Sequence, residues 1–243
     1  MKGVVVYFSL NPEHLVLRAH QQRGGLGATV IQGEITLLEG EQTIPVVPVA
    51  EVPLTLGGTV GFMTANALAA TLAAYRVGVT VAQLAQGLRT FAAGVAQTPG
   101  RMNLLPVRDF HVLIDYAHNP HGYRAVGEFV RRWDKGERVG VIGAPGDRRD
   151  EDLREMGRIA AELFDRVIIK EDDDTRGRPR GDAADWLQLG VSETVANRVF
   201  QVILDETKAI QTALKQGKPG DLIVIFPERV SRTIRLVNEA QSR

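Results

Sequence analysis

Cysteine is absent from the 243 residues, so neither a disulfide nor a thiolate metal site can form. Histidine is scarce as well, with five residues and no paired motif, which argues against a closed structural zinc site. No charge of either sign is in excess: 29 Lys+Arg stand against 29 Asp+Glu. That balance removes the electrostatic case for a dedicated nucleic-acid binder, although a local basic site remains open. No run approaches the roughly 18 apolar residues of a membrane span. The opening apolar run is short and meets Asn11, Pro12 and Glu13 at once, unlike a signal peptide. The expectation is a cytoplasmic chain with neither a nucleic-acid nor a membrane partner. GxxxxGK[ST], a paired-His motif and a Gly-x-Ser-x-Gly elbow are also lacking, so no complete nucleotide triphosphatase site can be read. What remains is ordinary for a globular protein: 44% hydrophobic and 24% charged residues.

The patterning changes along the chain. Val4–Ser9 is β-branched and aromatic and predicts a buried strand, and Glu13–Gln22 predicts a helix stopped at Gly24-Gly25. Residues 28–49 are β-rich runs broken at Gly33 and Gly40, which predicts a small antiparallel hairpin layer. An Ala-rich helix is expected over 60–77, and a second over 80–91 capped by Thr80. Gly94, Gln97, Thr98, Pro99 and Gly100 then read as a linker. Beyond it, apolar runs of strand length alternate with helices, with strands at HVLIDYA, RVGVIGAPGD, RVIIKED and DLIVIFPE. That alternation predicts a mostly parallel, Rossmann-like α/β sheet with flanking helices. The boundary is placed so that residues 1–98 and 99–243 form separate domains.

Ligands of open α/β sheets bind beyond the carboxyl ends of the strands. Four segments qualify. In Asp115-Tyr116-Ala117-His118-Asn119-Pro120, Asp115 could accept from ribose hydroxyls and His118 could donate to a phosphate; the alternative is a helix cap with local packing. In Gly143–Arg149, glycines let backbone approach an anion, Gly146 and Asp147 shape the turn, and Arg148 and Arg149 add fixed charge; the alternative is a solvated turn. In Glu171–Arg178, the run Glu171, Asp172, Asp173, Asp174 suits a cation, either a metal or a substrate guanidinium or ammonium. Its alternative is a solvated loop neutralised by Arg176, Arg178 and Arg180. Glu228 follows the last strand and reads more simply as a helix cap. Arg101 lies where the two domains would meet, and Asn66 lies in the Ala-rich helix, where its alternative is plain solvent exposure.

The ordered set TPGRMN, DYAHNP, GAPGDRRDEDL and IIKEDDDTRGR resembles the carboxy-terminal part of the cyanophycin synthetase family, within the Mur ligase superfamily. VPLT and ANALAA resemble the end of the Mur-type central domain. The resemblance implies a partial central domain over 1–98 and a Mur ligase C-terminal domain over 99–243. It implies ATP-dependent amide-bond formation through an acyl phosphate, with L-arginine added to the side-chain carboxylate of a poly-aspartate (cyanophycin) primer. Asn66, Arg101 and Asp115 would contact base and ribose, and His118 would lie near the phosphates. Gly146, Asp147, Arg148, Asp172, Asp173, Asp174 and Arg176 would line the acceptor site, with His118 and Arg148 closest to catalysis. The P-loop, the magnesium ligands and an ATP-grasp module would lie upstream of Met1. The chain is therefore expected to be a fragment that works with an upstream ligase portion or as a homo-oligomer, with ATP and Mg2+ as cofactors and no metal ligands of its own. Two alternatives stand beside this: an arginine- or polymer-binding or subunit-interaction module without catalysis, and a peptidoglycan-precursor or folylpolyglutamate ligase.

Overall fold

β-Branched runs separated by glycine turns fold the first part of the chain into a small sheet, and longer βα repeats build the second. A computed structural model describes residues 4–194 and 199–242. The chain divides into two compact units, Met1–Ala92 and Ala93–Arg243.

In the first unit, β1 (Tyr7–Phe8), β2 (Leu26–Ile31), β3 (Glu34–Glu39) and β4 (Gln42–Pro48) form a sheet in that order. β1 runs parallel to β2 and the other pairs are antiparallel. Gln32 and Gly33 both have positive φ, 51° and 81°, as a two-residue hairpin turn between right-twisted strands requires. Pro45 sits in β4, an edge strand, beside a register shift at Ile35/Thr36, which is where a residue without an N–H is tolerated. Helices α1 (Leu15–Gln22), α2 (Gly61–Arg76) and α3 (Val81–Thr90) accompany the sheet. Thr80 and Gln83 form a reciprocal capping box at the start of α3. Ile35, Leu37, Leu68, Leu72 and Leu84 anchor the core of this unit. The expected buried strand at Val4–Ser9 is corrected: only Tyr7–Phe8 is strand, and both residues are exposed. The run lies at the outer edge of the sheet, so its β-branched composition reports strand preference without burial.

The second unit holds β5 (Asn103–Val107), β6 (Phe110–Ile114), α4 (Pro120–Val130), β7 (Arg138–Ile142), α5 (Asp150–Leu163) and β8 (Arg166–Ile169). After these come α6 (Asp182–Thr194), β9 (Val199–Val202), α7 (Glu206–Gln216), β10 (Leu222–Ile225) and α8 (Val230–Gln241). The sheet order is β5-β6-β10-β7-β8-β9. Every pair is parallel except β5–β6, so the sheet is mostly parallel with one antiparallel edge. Leu222–Ile225 are all fully buried, as expected for a central strand covered on both faces. Because the last strand inserts between β6 and β7, the loops after β6, β10, β7 and β8 leave the same edge of the sheet side by side. The segment read as a linker is tied to this unit: Asn103 Nδ2 donates to Ala93 O at 3.2 Å and to Thr98 O at 2.9 Å.

Candidate functional site

Asp115 directly follows β6 and is 5% exposed. Its two oxygens accept the backbone N–H of Met102 at 3.0 Å and of Ala117 at 2.9 Å. One carboxylate thereby fixes both the Gly100–Asn103 turn and the loop toward α4. Gly100 at φ 72° and Met102 at φ 50° occupy the left-handed region in that turn. Asn103 Oδ1 accepts Gly100 N at 2.7 Å, and Tyr116 N donates to Gly100 O at 2.8 Å. Burial raises the Asp115 pKa above the usual carboxylate range, opposed by the two amides and by the Arg101 and His118 charges.

The same loop gathers a small cationic and aromatic group. The Arg101 guanidinium lies 5.7 Å from the Tyr116 ring centroid, and the Tyr116 and His118 rings are 5.6 Å apart. His118 Nδ1 is 3.1 Å from Tyr116 O. A carbonyl only accepts, so Nδ1 carries the proton and Nε2 is left for a ligand. Asn119 caps α4 by accepting Gly122 N at 2.8 Å, and Pro120 opens the helix.

The loops after β7 and β8 touch. A Cβ at Gly146 would lie 2.0 Å from Thr175 O, so only glycine permits the contact. Arg178 clamps them. Its Nε donates to Gly146 O at 2.5 Å, and its Nη2 to Arg148 O at 2.5 Å and Asp150 Oδ1 at 2.6 Å. Its Nη1 reaches Asp182 at 2.5 Å, so the same guanidinium engages the first residues of both α5 and α6. Within this clamp Arg176 pairs with Asp147 at 3.0 Å. Arg148 meets Asp147 only at 3.9 Å, and its buried Nε has no hydrogen-bond partner among the described residues.

The acidic run is largely neutralised from within. Glu171, 2% exposed, accepts Gly181 N and pairs with Arg180 at 3.1 Å. Asp172 pairs with Lys170 Nζ at 2.6 Å. Asp173 pairs with Arg232 at 2.6 Å, and that hydrogen bond holds its carboxyl below the usual range. Asp174 differs: its side chain is 74% exposed and its nearest cation, Arg176, is 4.0 Å away. Asp172, Glu206 and Glu228 could geometrically hold a cation. The Lys170 ammonium already stands in that group, 2.6 Å from Asp172 and 2.8 Å from Glu206. A magnesium ion does not fit beside that ammonium.

The structure thus collects Arg101, Asp115 and His118 in one loop system and Gly146, Asp147, Arg148, Asp174 and Arg176 in a second. Asp172 turns toward buried Lys170, and Asp173 toward half-buried Arg232. Asn66 lies in the first unit on the exposed side of α2, with Nδ2 at 3.9 Å from Met63 Sδ. Sequence reasoning did not single out Lys170, Asn103 or Glu206. A lysine closing an apolar strand was a usable signal; for Glu206 nothing in the local pattern was.

The profile for "Mur ligase, glutamate ligase domain" matches residues 100–229. The cyanophycin synthetase of Crocosphaera subtropica is 52% identical over 238 residues, which cover 98% of this chain and 27% of that protein. A UDP-N-acetylmuramoyl-L-alanyl-D-glutamate–2,6-diaminopimelate ligase of Gloeobacter violaceus is 34% identical over 192 residues, covering 77% of this chain and 37% of the relative. The chain spans about a quarter of the length of the cyanophycin synthetase it matches. Among solved structures, E. coli FolC in complex with DHPP and ADP shares the fold at a TM-score of 0.65 and 19% identity, covering 98% of this chain and 54% of that one. Among the described residues no helix is long and apolar enough to cross a membrane. With a glutamate ligase domain matched over more than half of its residues, the chain belongs to the Mur ligase family.

Proposed function

We propose that this chain supplies the ribose- and acceptor-binding part of an ATP-dependent amide ligase of the cyanophycin synthetase kind, and that the acceptor is L-arginine. The observation that carries the reading is the 52% identity with a cyanophycin synthetase along 98% of the chain. In the reaction proposed, ATP phosphorylates an aspartate side-chain carboxylate of the polymer. The amine of arginine then attacks the acyl phosphate, the carbon–nitrogen bond forms, and phosphate leaves with its electron pair. Asp115 has lone pairs beyond those used by Met102 and Ala117 to accept ribose hydroxyls. Arg101 flanks the nucleotide, and His118 lies near its phosphates. Arg148, whose Nε makes no hydrogen bond and meets Asp147 only at 3.9 Å, is suited to an anionic oxygen of the acceptor or the tetrahedral intermediate. Asp174 is the exposed carboxylate left for the acceptor guanidinium, with Asp147 and Arg176 beside it.

The reading places the P-loop and the magnesium ligands outside this sequence, so turnover requires an upstream ligase portion. The test mixes purified chain with the upstream portion of a cyanophycin synthetase, ATP, magnesium, a poly-aspartate primer and labelled arginine. Incorporation is expected only when both proteins are present, and Asp174→Ala is expected to raise the KM for arginine about tenfold or more, the loss of a charge-assisted pair. Incorporation of diaminopimelate or glutamate in place of arginine would move the chain to another Mur-type activity. Arginine binding by calorimetry without any incorporation would favour a non-catalytic binding module.

A further inference from the structure

Beside the acceptor loops lies a closed ring of charges that the proposed chemistry does not use, with Lys170, Asp172 and Glu206 buried at its centre. Lys170 is 1% exposed and Glu206 is fully buried. Lys170 follows β8, and its stem runs against Gly143, where a Cβ would lie 2.5 Å from Lys170 Cε. Its ammonium joins Asp172 Oδ1 at 2.6 Å to Glu206 Oε2 at 2.8 Å. Glu206 opens α7 and holds the loop after β10, accepting Glu228 N at 2.6 Å and Arg229 N at 3.3 Å. The Glu228 carboxylate returns to the acidic run, accepting Asp173 N at 2.8 Å and Asp174 N at 3.4 Å. Arg232 closes the ring from α8, 2.6 Å from Asp173 and 3.7 Å from Glu206.

From this ring we infer that Lys170 and Glu206 are positioning residues that set the backbone of Asp172–Asp174, and with it the direction in which Asp174 presents its carboxylate. The inference rests on the reading that this segment faces the acceptor. Buried charges are costly unless paired and hydrogen-bonded, and each ring member has its partners. The geometry also gives direction to the coupling. Glu206 fixes the amides of Glu228 and Arg229, and Glu228 fixes the amides of Asp173 and Asp174. Among the described residues no side chain of the ring is hydrogen-bonded to Arg101, Asp115 or His118; the nearest link is Val230, next to Arg229, against Gly100, so a disturbance should affect the acceptor more than the nucleotide.

The test is Glu206→Gln. Glutamine exchanges one acceptor oxygen for an NH2 group that must face an N–H or ammonium donor. Two readouts are taken. Hydrogen exchange on the chain alone should show faster exchange at the Asp173 and Asp174 amides, with β7 and β10 still protected. In the reconstituted assay, the KM for arginine should rise about tenfold or more while the KM for ATP stays within about twofold, as misplacement of a binding group predicts. A Glu206→Asp variant, which keeps the charge opposite Lys170 but shortens the reach to the Glu228 and Arg229 amides, guards against simple unfolding of Glu206→Gln. Unchanged exchange at Asp173 and Asp174 in a folded variant would overturn the inference, as would equal changes in both KM values. The exchange measurement does not depend on which acceptor is used. A wild-type protein that incorporates no arginine therefore overturns the functional reading separately.

Discussion

Burial and pairing push two aspartates at the strand ends, Asp115 and Asp173, in opposite directions, and pH separates them. Asp115 is raised from its ordinary 3.8 by burial. A carboxyl with a raised folded-state pKa contributes stability below its unfolded value, and that contribution is lost as pH rises through the folded value. Asp173 is lowered by Arg232, so its contribution is present above 3.8 and is lost as pH falls through the folded value. Asp115→Asn places an NH2 against a backbone N–H and is expected to lower stability by about 1–3 kcal/mol. Its gap from wild type should narrow as pH rises through the acid range, whereas the smaller gap for Asp173→Asn should widen. Asp173 is partly solvated, which limits its effect to about 1 kcal/mol or less. Urea titrations across acid pH check both signs, and parallel behaviour of the two variants would contradict the assignment of causes. The strand-end rule singled out Asp115 and His118 from the sequence, because one short segment carries them and helix α4 follows directly; Arg101 was singled out by its place near the expected domain boundary. It could not sort the acidic run. Which of Glu171, Asp172, Asp173 and Asp174 remains open to solvent depends on Arg180, Lys170 and Arg232, and Arg232 comes from a helix 59 residues away from Asp173.

Where α5 crosses α6, two glycines replace side chains with backbone. A Cβ on Gly157 would lie 2.1 Å from Leu187 O, and one on Gly190 would lie 1.9 Å from Arg154 O. Neither partner is a movable side chain, so alanine forces the helices apart. Gly190→Ala is expected to destabilise by about 1–3 kcal/mol as an overpacked core does, despite alanine's better helix propensity. The loss would appear as a lower urea midpoint with an unchanged slope; a gain in stability would mean that propensity outweighs packing. The same elements show what the sequence did not reveal. Strands β6, β7, β8 and β10 stood out as continuous apolar runs between helices. Helix α6 and strand β9 did not. The first follows a Gly- and Arg-rich loop with two aspartates in its opening turn, and the second is largely exposed. β5 was hidden too, since Pro106 interrupts its pattern; as an edge strand it tolerates the missing donor.

The two compact units differ in how completely each covers its own apolar surface. The second has a core running through Val112, Ile114, Val141, Ile168, Ile223 and Ile225. Among its described residues, the exposed large apolar side chains are Leu189, Val199 and Val202. In the first unit, seven such side chains lie between residues 4 and 16, among them Val4 at 65%, Phe8 at 47% and Leu15 at 83% exposed. Contiguous apolar surface of this kind associates or binds hydrophobic probes, whereas scattered residues do not. A protein of residues 93–243 is therefore expected to unfold in one cooperative step, with stability on the order of 5–15 kcal/mol, and to leave 1-anilinonaphthalene-8-sulfonate fluorescence unchanged. The full chain is expected to bind the dye through its first unit, and Phe8→Lys with Leu15→Lys should reduce that signal without shifting the unfolding midpoint of the second unit within the same full chain. Equal dye binding by both proteins would place the uncovered surface in the α/β unit instead. The ring of Lys170 and Glu206 would then have to be sought in a domain that is not self-sufficient, because its members bridge β8, α7 and β10 and hold their geometry only while that sheet is intact.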